Sequence, residues 1–126
     1  MNQTILLIDA HPVYAQKTIS FLKGLTFQDI RLADTGAKGL DEVMLKRPDL
    51  VILSATLPDM ESLEVCKEIT AMTNFFTKII VQIGLFMEDE TIAQFKANGA
   101  HVILERKEKD LMPLQKAIEE FLLNKV

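Results

Sequence analysis

The stretch PDLVILS, residues 48–54, decides the fold, because four consecutive large apolar residues, Leu50 to Leu53, lie within it. A run this short and this rich in β-branched residues predicts a strand buried on both faces rather than a helix. Three further runs of this kind are Ile5 to Ile8, Ile79 to Val81 and Val102 to Leu104. A fifth run, Ile30 to Ala33, carries the charged Arg31, which is typical of a half-exposed strand at a sheet edge.

Segments with one apolar stripe at helical spacing separate these runs, such as Ala15, Ile19 and Leu22 after the first. Five predicted strands therefore alternate with five predicted helices. Buried strands with helical crossovers require a parallel sheet, and right-handed crossovers make the strand order 2-1-3-4-5 a common solution. The sequence thus predicts a doubly wound (βα)5 α/β fold, with residues 1–126 forming a single domain.

The predicted helix boundaries carry ordinary start and stop signals. Pro12 marks the start of the first helix, and Asp34 and Thr35 can cap the second. Asn98-Gly99 supplies a left-handed stop for the fourth helix. These signals agree with the strand positions, and no segment resembles a linker.

The composition is that of a globular protein, since 48% of the 126 residues are hydrophobic and 25% are charged. The net charge is −4 and the basic residues are scattered, so there is no electrostatic footprint for nucleic acid. No apolar run approaches the roughly 20 residues of a membrane-spanning helix, and the residues before the first strand do not have a secretory pattern, so secretion is not expected. The single Cys66 excludes an internal disulfide and is predicted to be a small buried hydrophobe. We therefore expect a cytoplasmic protein that binds neither nucleic acid nor a membrane.

Two polar residues follow neighbouring strands of the predicted sheet. In the order 2-1-3-4-5, a ligand crevice is expected outside the carboxyl ends of the first and third strands. Asp9 and Ser54 occupy these ends. The sequence therefore predicts that these two residues line the functional site.

Several motifs resemble the receiver domain of bacterial two-component response regulators, a flavodoxin-like fold, and the likeness covers essentially the whole chain. They are Ile5-Leu6-Leu7-Ile8-Asp9 leading into His11-Pro12, then Pro48 to Leu53, Leu57-Pro58-Asp59-Met60, Leu63-Glu64-Val65-Cys66 and Asn98-Gly99-Ala100. In that family an aspartate accepts a phosphoryl group from a kinase histidine, while neighbouring carboxylates hold Mg²⁺. The resemblance implies a signalling function for this chain.

The chain departs from that family at its chemical positions. The acidic pair expected after the first strand is reduced to Asp9, because the next residue is Ala10. Ser54 stands where the resemblance places the acceptor aspartate. A serine hydroxyl without an adjacent base is a poor nucleophile and cannot form an acyl phosphate. We therefore expect a degenerate pocket that is not phosphorylated at the usual site.

The other family positions are altered as well. The hydroxyl residue expected at the end of the fourth strand falls on Ile83 or Gly84, and neither can hydrogen-bond a phosphoryl oxygen. Arg106 replaces the lysine of the fifth-strand turn, and Lys107 replaces the following proline, so no cis peptide is expected there. Ile103 occupies the aromatic switch position.

Asp9 stands nearly alone in this pocket, so we expect no cofactor and no Mg²⁺, which generally requires one or two carboxylates together with phosphate oxygens. Our hypothesis is that Arg106 pairs with Asp9, with Ser54 as a hydrogen-bonding neighbour. The alternative is a solvated Arg106. Asp59 is interpreted as a turn former and His11 as a partly exposed residue entering the first helix. His101 is expected far from Asp9 and is assigned no chemistry.

An apolar stretch, Leu85-Phe86-Met87, lies in the loop before the fourth helix, where loops are usually polar. It either folds onto the core or forms an interaction surface together with Ile103. The resemblance places that surface on the fourth helix, fifth strand and fifth helix. The acidic triplet at 88–90 is interpreted as capping the fourth helix.

Three functions follow from these observations. The favoured one is a receiver-like module, not an enzyme, that binds a protein partner in a signalling pathway without phosphorylation. The second retains phosphoryl or metal binding through Asp9 or Asp59, or modification of Ser54. The third is a small enzyme or ligand-binding domain in the same crevice, which no catalytic set of residues supports.

Overall fold

Strands and helices alternate along the chain of the computed structural model, which describes residues 3–84, 87–106 and 110–123. The strands are β1 Thr4–Ile8, β2 Asp29–Ala33, β3 Leu50–Ser54, β4 Lys78–Ile83 and β5 Val102–Glu105. The helices are α1 Pro12–Gly24, α2 Gly36–Leu45, α3 Ser62–Thr73, α4 Asp89–Ala97 and α5 Met112–Ile118. A π-helical segment, Glu119–Leu123, continues α5.

The five strands form one parallel sheet in the order β2-β1-β3-β4-β5, which confirms the predicted doubly wound fold. Ile8 pairs with Ala33 on one side and with Leu53 on the other. Ser54 pairs with Gln82 of β4. This register brings the residues that end β1 and β3 to the same edge of the sheet, which we call the carboxyl edge.

Apolar side chains alternate between the two faces of the sheet, as the pleat requires. Leu6 and Ile8 of β1 belong to the core under α2, α3 and α4, whereas Ile5 and Leu7 belong to the core under α1 and α5. Every residue of β1 and β3 is buried, as predicted. The prediction of a fully buried Val102 to Leu104 was wrong, because β5 is an edge strand and these residues are only partly covered.

The helix boundaries follow most of the predicted signals. Helix α1 begins at Pro12, and Gly99 follows α4 with φ of +111°, a left-handed conformation that suits glycine. Thr35 caps α2, since its side chain accepts a hydrogen bond of 3.1 Å from Lys38 N. Asp34 does not share this role, because its carboxylate pairs with Lys38 Nζ at 3.0 Å.

The acidic triplet before α4 was expected to cap that helix. Glu88 occupies the N-cap position but makes no side-chain capping hydrogen bond. Asp89 and Glu90 lie in the first turn, where negative charge complements the helix dipole. The triplet therefore acts through charge rather than through a capping bond.

Cys66 is completely buried in the sheet–helix core, as predicted. Burial raises the pKa of its thiol to about 11, because the thiolate would lose its hydration. No helix within the described ranges is both long and apolar enough to cross a bilayer.

Candidate functional site

The candidate site lies at the carboxyl edge of the sheet, where Asp9 follows β1, Ser54 ends β3 and Arg106 follows β5. The backbone of Asp9 is fixed by a 3.0 Å hydrogen bond from its N–H to Ala33 O. Arg106 N donates to Ile83 O at 2.8 Å, which extends the pairing of β5 with β4 by one residue. Hydrogen bonds to the sheet thus fix the backbone positions of Asp9 and Arg106.

Asp9 and Arg106 form an ion pair with a distance of 2.6 Å between Asp9 Oδ2 and Arg106 Nη2. The Asp9 side chain is 1% exposed and that of Arg106 is 21% exposed. Asp9 Oδ1 accepts a second hydrogen bond, 2.9 Å long, from His11 N. The predicted pairing is therefore present, and the alternative of a solvated Arg106 was wrong.

The Ser54 hydroxyl does not take part in this pair, contrary to the hypothesis. It donates to Thr56 O at 3.0 Å and accepts from Thr56 N at 3.3 Å. Short hydroxyl side chains often bond the backbone two residues further on, and this local bond keeps the Ser54 side chain in its own turn. Ser54 O also accepts a 2.7 Å hydrogen bond from Ser62 Oγ, which ties the turn to the start of α3.

Two residues that the sequence did not single out complete the site. Arg106 Cζ lies 4.2 Å from the centroid of the Tyr14 ring, in a cation–π contact. The Tyr14 hydroxyl accepts a 3.2 Å hydrogen bond from Gln82 Nε2. Both Tyr14 and Gln82 are almost completely buried. A polar chain therefore runs from Asp9 through Arg106 and Tyr14 to Gln82.

The sequence contained one signal for this polar chain. Gln82 interrupts the apolar strand β4 and pairs in register with Ser54. A buried amide in such a strand needs hydrogen-bond partners, so it predicts a polar neighbour under the nearest helix. Among the described side chains, Gln82 Oε1 and Arg106 Nε are buried atoms without a hydrogen-bond partner.

Asp59 lies in the loop before α3, as predicted for a turn former, but its carboxylate binds the start of α2. Asp59 Oδ1 accepts from Gly36 N at 2.8 Å and Oδ2 accepts from Ala37 N at 3.0 Å. These hydrogen bonds from Ala37 and Gly36 lower the pKa of the Asp59 carboxyl. Both carboxylate oxygens are thus committed to a helix N-terminus, where negative charge is favourable.

The side chains of the two histidines accept hydrogen bonds from backbone N–H groups. His11 is exposed, and its Nδ1 accepts a 3.1 Å hydrogen bond from Tyr14 N, so it is the N-cap of α1. His101 Nδ1 accepts a 3.1 Å hydrogen bond from Ile79 N, near the start of β4. That start lies at the sheet edge opposite Asp9, as predicted. Partial burial and the positive charge of Lys78 lower the pKa of His101.

The remaining predicted residues are spread around the carboxyl edge. Ile83 is half-buried, whereas Ala10 and Gly84 are exposed. Met87 and Ile103 of the candidate partner surface are half-buried, and Ile103 packs against the core. Leu85 and Phe86 lie outside the described residues, as does Lys107.

The donor set at this edge does not fit Mg²⁺. One Asp9 oxygen is paired with Arg106, and the other accepts the His11 N–H. In the part of the chain that the structure describes, no three His, Cys, Asp or Glu side chains come close enough to hold a metal ion. A hard cation with carboxylate ligands would have to displace the guanidinium from Asp9.

Sequence comparison finds a family model and curated relatives to which this chain is similar. The model of the response regulator receiver domain family matches residues 5–119. The DNA-binding response regulator MtrA of Mycolicibacterium smegmatis is 37% identical over 71 residues, which are 56% of this chain and 31% of that protein. The match with MtrA of Mycobacterium leprae is 35% identical, with the same coverage of both chains. This chain therefore spans about a third of the length of these curated relatives.

Solved structures share the fold over nearly the full chain. A two-component response regulator from Clostridium difficile has a TM-score of 0.88 at 24% identity, covering 98% of both chains. The signal receiver domain of a putative Luxo repressor protein from Vibrio parahaemolyticus has a TM-score of 0.86 at 20% identity, covering 98% of this chain and 92% of that one. At such identities the likeness concerns the fold alone.

Proposed function

The chain belongs to the response regulator receiver domain family, and from this premise we propose that it is a degenerate receiver that signals without phosphorylation at the usual site. In this proposal it is a module of a two-component or phosphorelay-type pathway, acts by binding a protein partner, and is not an enzyme. The curated relatives are matched over about a third of their length, so the DNA binding named for MtrA is not carried over.

The observation that carries the proposal is the 2.6 Å ion pair between Asp9 and Arg106. In a receiver pocket with several carboxylates the negative charges repel one another, and a bound cation relieves that repulsion. Here the Arg106 guanidinium, from within the chain, neutralises the buried Asp9 carboxylate. The negative charge of Asp9 is thus balanced without a metal ion.

The position of Ser54 supports the same proposal. Its hydroxyl donates to Thr56 O and accepts from Thr56 N, and within the described ranges no base is among its hydrogen-bond partners. A hydroxyl nucleophile requires such a base. The alternative acceptor Asp59 is less well supported, because both of its oxygens bind the N-terminus of α2.

We propose that the partner binds the face formed by α4, β5 and α5. Its described members Met87 and Ile103 are half-buried, so each leaves part of an apolar side chain accessible. Partly exposed apolar residues of this kind supply the centre of an interface, while polar neighbours form its rim. Leu85 and Phe86 are included in this surface by their sequence position.

Amide NMR with Mg²⁺ and beryllofluoride, a mimic of the phosphoryl group, tests the phosphorylation-independent part. We expect no movement of the Asp9 and Ser54 amide signals in the natural chain. The matched control is the triple variant Ala10→Asp, Ser54→Asp and Arg106→Lys, which restores the acidic pair, the acceptor aspartate and the lysine of the family and should respond. Movement around Asp9 and Ser54 in the unmodified chain would overturn the proposal.

A pull-down of the partner tests the surface. Met87→Asp places a charge on the proposed face and should abolish capture, whereas Val13→Asp changes an apolar residue on α1 that is 60% exposed and should not. Equal capture by Met87→Asp and the natural chain would exclude this face.

A further inference from the structure

Five large apolar side chains are exposed near the C-terminal ends of α2 and α3. The exposed fractions are 68% for Met44, 76% for Leu45, 42% for Met72, 67% for Phe75 and 47% for Phe76. We call these residues together with Arg47 the α2–α3 patch. Single exposed apolar residues are ordinary, but several at one place mark an interaction surface.

Contacts of Glu42 and Thr70, combined with helical periodicity, place Met44 and Met72 on the flanks by which α2 and α3 adjoin. Glu42 binds Arg31 of the edge strand β2 at 3.2 Å, so Met44, about 200° further round α2, lies on the flank toward α3. Thr70 Oγ1 donates to Asn98 O, after α4, at 3.3 Å, so Met72, about 200° further round α3, lies on the flank toward α2. The patch therefore continues from one helix to the other.

Arg47 and Phe76 join the two loops that follow these helices. Arg47 Cζ lies 4.1 Å from the centroid of the Phe76 ring. Leu45 precedes Arg47 by two residues, and Phe75 is next to Phe76 in the chain. The Arg47–Phe76 contact thus joins the loops that carry these residues, at the end of the sheet opposite Asp9.

The loop after α3 holds Phe75 in an unfavourable backbone conformation. Asn74 and Phe75 have φ of +50° and +65°, and the left-handed region is disfavoured for an aromatic residue. Phe75 N donates to Thr70 O at 3.1 Å, which holds the turn. This turn ends α3 and leaves the Phe75 side chain 67% exposed beside Phe76, outside both core clusters.

Two opposite charges at this surface lack an ion-pair partner in the described part of the chain. Arg47 makes no ion pair, and Glu68 on α3 makes none either. Glu68 lies one helical turn before Met72, on the same flank. A two-fold axis repeats every contact, so a pair between Arg47 of one copy and Glu68 of the other would form twice. A self-complementary arrangement of this kind suits an isologous interface.

The exposed area is sufficient for such a contact. With roughly 200 Å² for each large side chain, the five residues expose about 600 Å², and two copies together would bury about 1,200 Å². Specific interfaces begin at about this size. We propose that the chain forms a symmetric dimer through the α2–α3 patch. This surface shares no residue with the α4–β5–α5 face, so the dimer leaves that face free for the partner.

Sedimentation velocity of the 126-residue chain over a wide concentration range tests the dimer. We expect a monomer–dimer equilibrium that Phe75→Gly weakens roughly tenfold or more. Glycine accepts the positive φ of this position, so the variant removes the ring without straining the fold. Val13→Asp is the matched control and should leave the equilibrium unchanged.

A charge exchange tests the orientation of the two copies. Arg47→Glu and Glu68→Arg should each weaken the dimer, and the double variant should restore it. A chain that stays monomeric at all concentrations would overturn the proposal. So would a dimer that Phe75→Gly leaves intact, since the interface would then lie elsewhere. Sedimentation gives either result whether or not the chain responds to beryllofluoride, so a failure of the dimer proposal is distinguishable from a failure of the proposed function.

Discussion

Arg106 Nη2 lies 2.6 Å from Asp9 Oδ2, although the two residues are 97 positions apart in the chain. The contact ties the end of the interior strand β1 to the residue after the edge strand β5. It also holds the Arg106 guanidinium over the Tyr14 ring. One ion pair therefore links the first and last strands with the first helix at the carboxyl edge.

Asp9→Ala should destabilise the fold by about 3 kcal/mol, because removing one partner leaves the other charge largely buried and unpaired. Asp9→Asn keeps an acceptor for the His11 N–H and should cost less. Urea unfolding followed by circular dichroism measures both. The control is Asp34→Ala, which removes an exposed ion pair with Lys38 and should change stability by less than about 0.5 kcal/mol. An unfolding midpoint for Asp9→Ala equal to that of the natural chain would show that the pair is unimportant.

Tyr14→Phe should cost about 1–3 kcal/mol, because it leaves the buried Gln82 amide without its hydroxyl partner. The aromatic face under Arg106 is retained, so Tyr14→Leu should cost more by about 0.5–1 kcal/mol. Tyr14 is the single tyrosine in the chain, so unfolding has to be followed by circular dichroism rather than tyrosine fluorescence. Equal stability of the Phe and Leu variants would argue against the cation–π contact.

Asp29 should make the fold sensitive to acid. Hydrogen bonds from Lys46 Nζ and Thr4 Oγ1 lower the pKa of its carboxyl from 3.8 to about 2. Because this pKa is lower in the folded state, ionised Asp29 stabilises the fold fully above pH 3.8, and this contribution is lost as the pH falls through about 2. The carboxylate is 32% exposed, so solvent screening reduces the effect to about 1 kcal/mol.

Urea unfolding between about pH 5 and pH 2 measures the effect. Asp29→Asn should flatten the loss of stability over this interval. Asp41 is exposed on α2 and makes no ion pair within the described residues, so Asp41→Asn should retain the slope of the natural chain. Parallel curves for Asp29→Asn and the natural chain would rule out this role.

The fold could be predicted from sequence because its signals are local. Each central strand is a continuous apolar run, such as Leu50 to Leu53, and burial on both faces requires that pattern. The one overestimate is the burial of β5, which ends the sheet in the predicted order as well as in the structure. Sequence alone does not show how completely the helices cover an edge strand.

The site was predictable only where charge complementarity required it. Asp9 and Arg106 have opposite charges at the same edge, so their pairing could be inferred. The Ser54 hydroxyl has a backbone partner two residues away, and such a local bond needs no long-range contact to form. Tyr14 could not be identified from the sequence, because an amphipathic helix gives no sign of which ring a distant guanidinium will cover.

Gly99→Ala should destabilise the fold by about 2 kcal/mol or more, through backbone strain and a steric clash. Gly99 has φ of +111°, and a Cβ there would lie 1.9 Å from Thr70 Oγ1. That hydroxyl is held by hydrogen bonds to Cys66 O at 2.9 Å and Asn98 O at 3.3 Å, so it cannot easily move away.

Gly24 at the end of α1 provides the matched control. A Cβ on Gly24 would meet no atom within 4 Å, and its φ is not positive. Gly24→Ala should therefore be neutral or stabilise by about 0.4–1 kcal/mol, because alanine lowers the entropy of the unfolded chain. Thermal unfolding of the two variants compares them directly. An equal change in the melting temperature of the two variants would contradict this prediction. The loss at Gly99 would then be a general effect of replacing glycine and would not come from the close approach of Gly99 to Thr70.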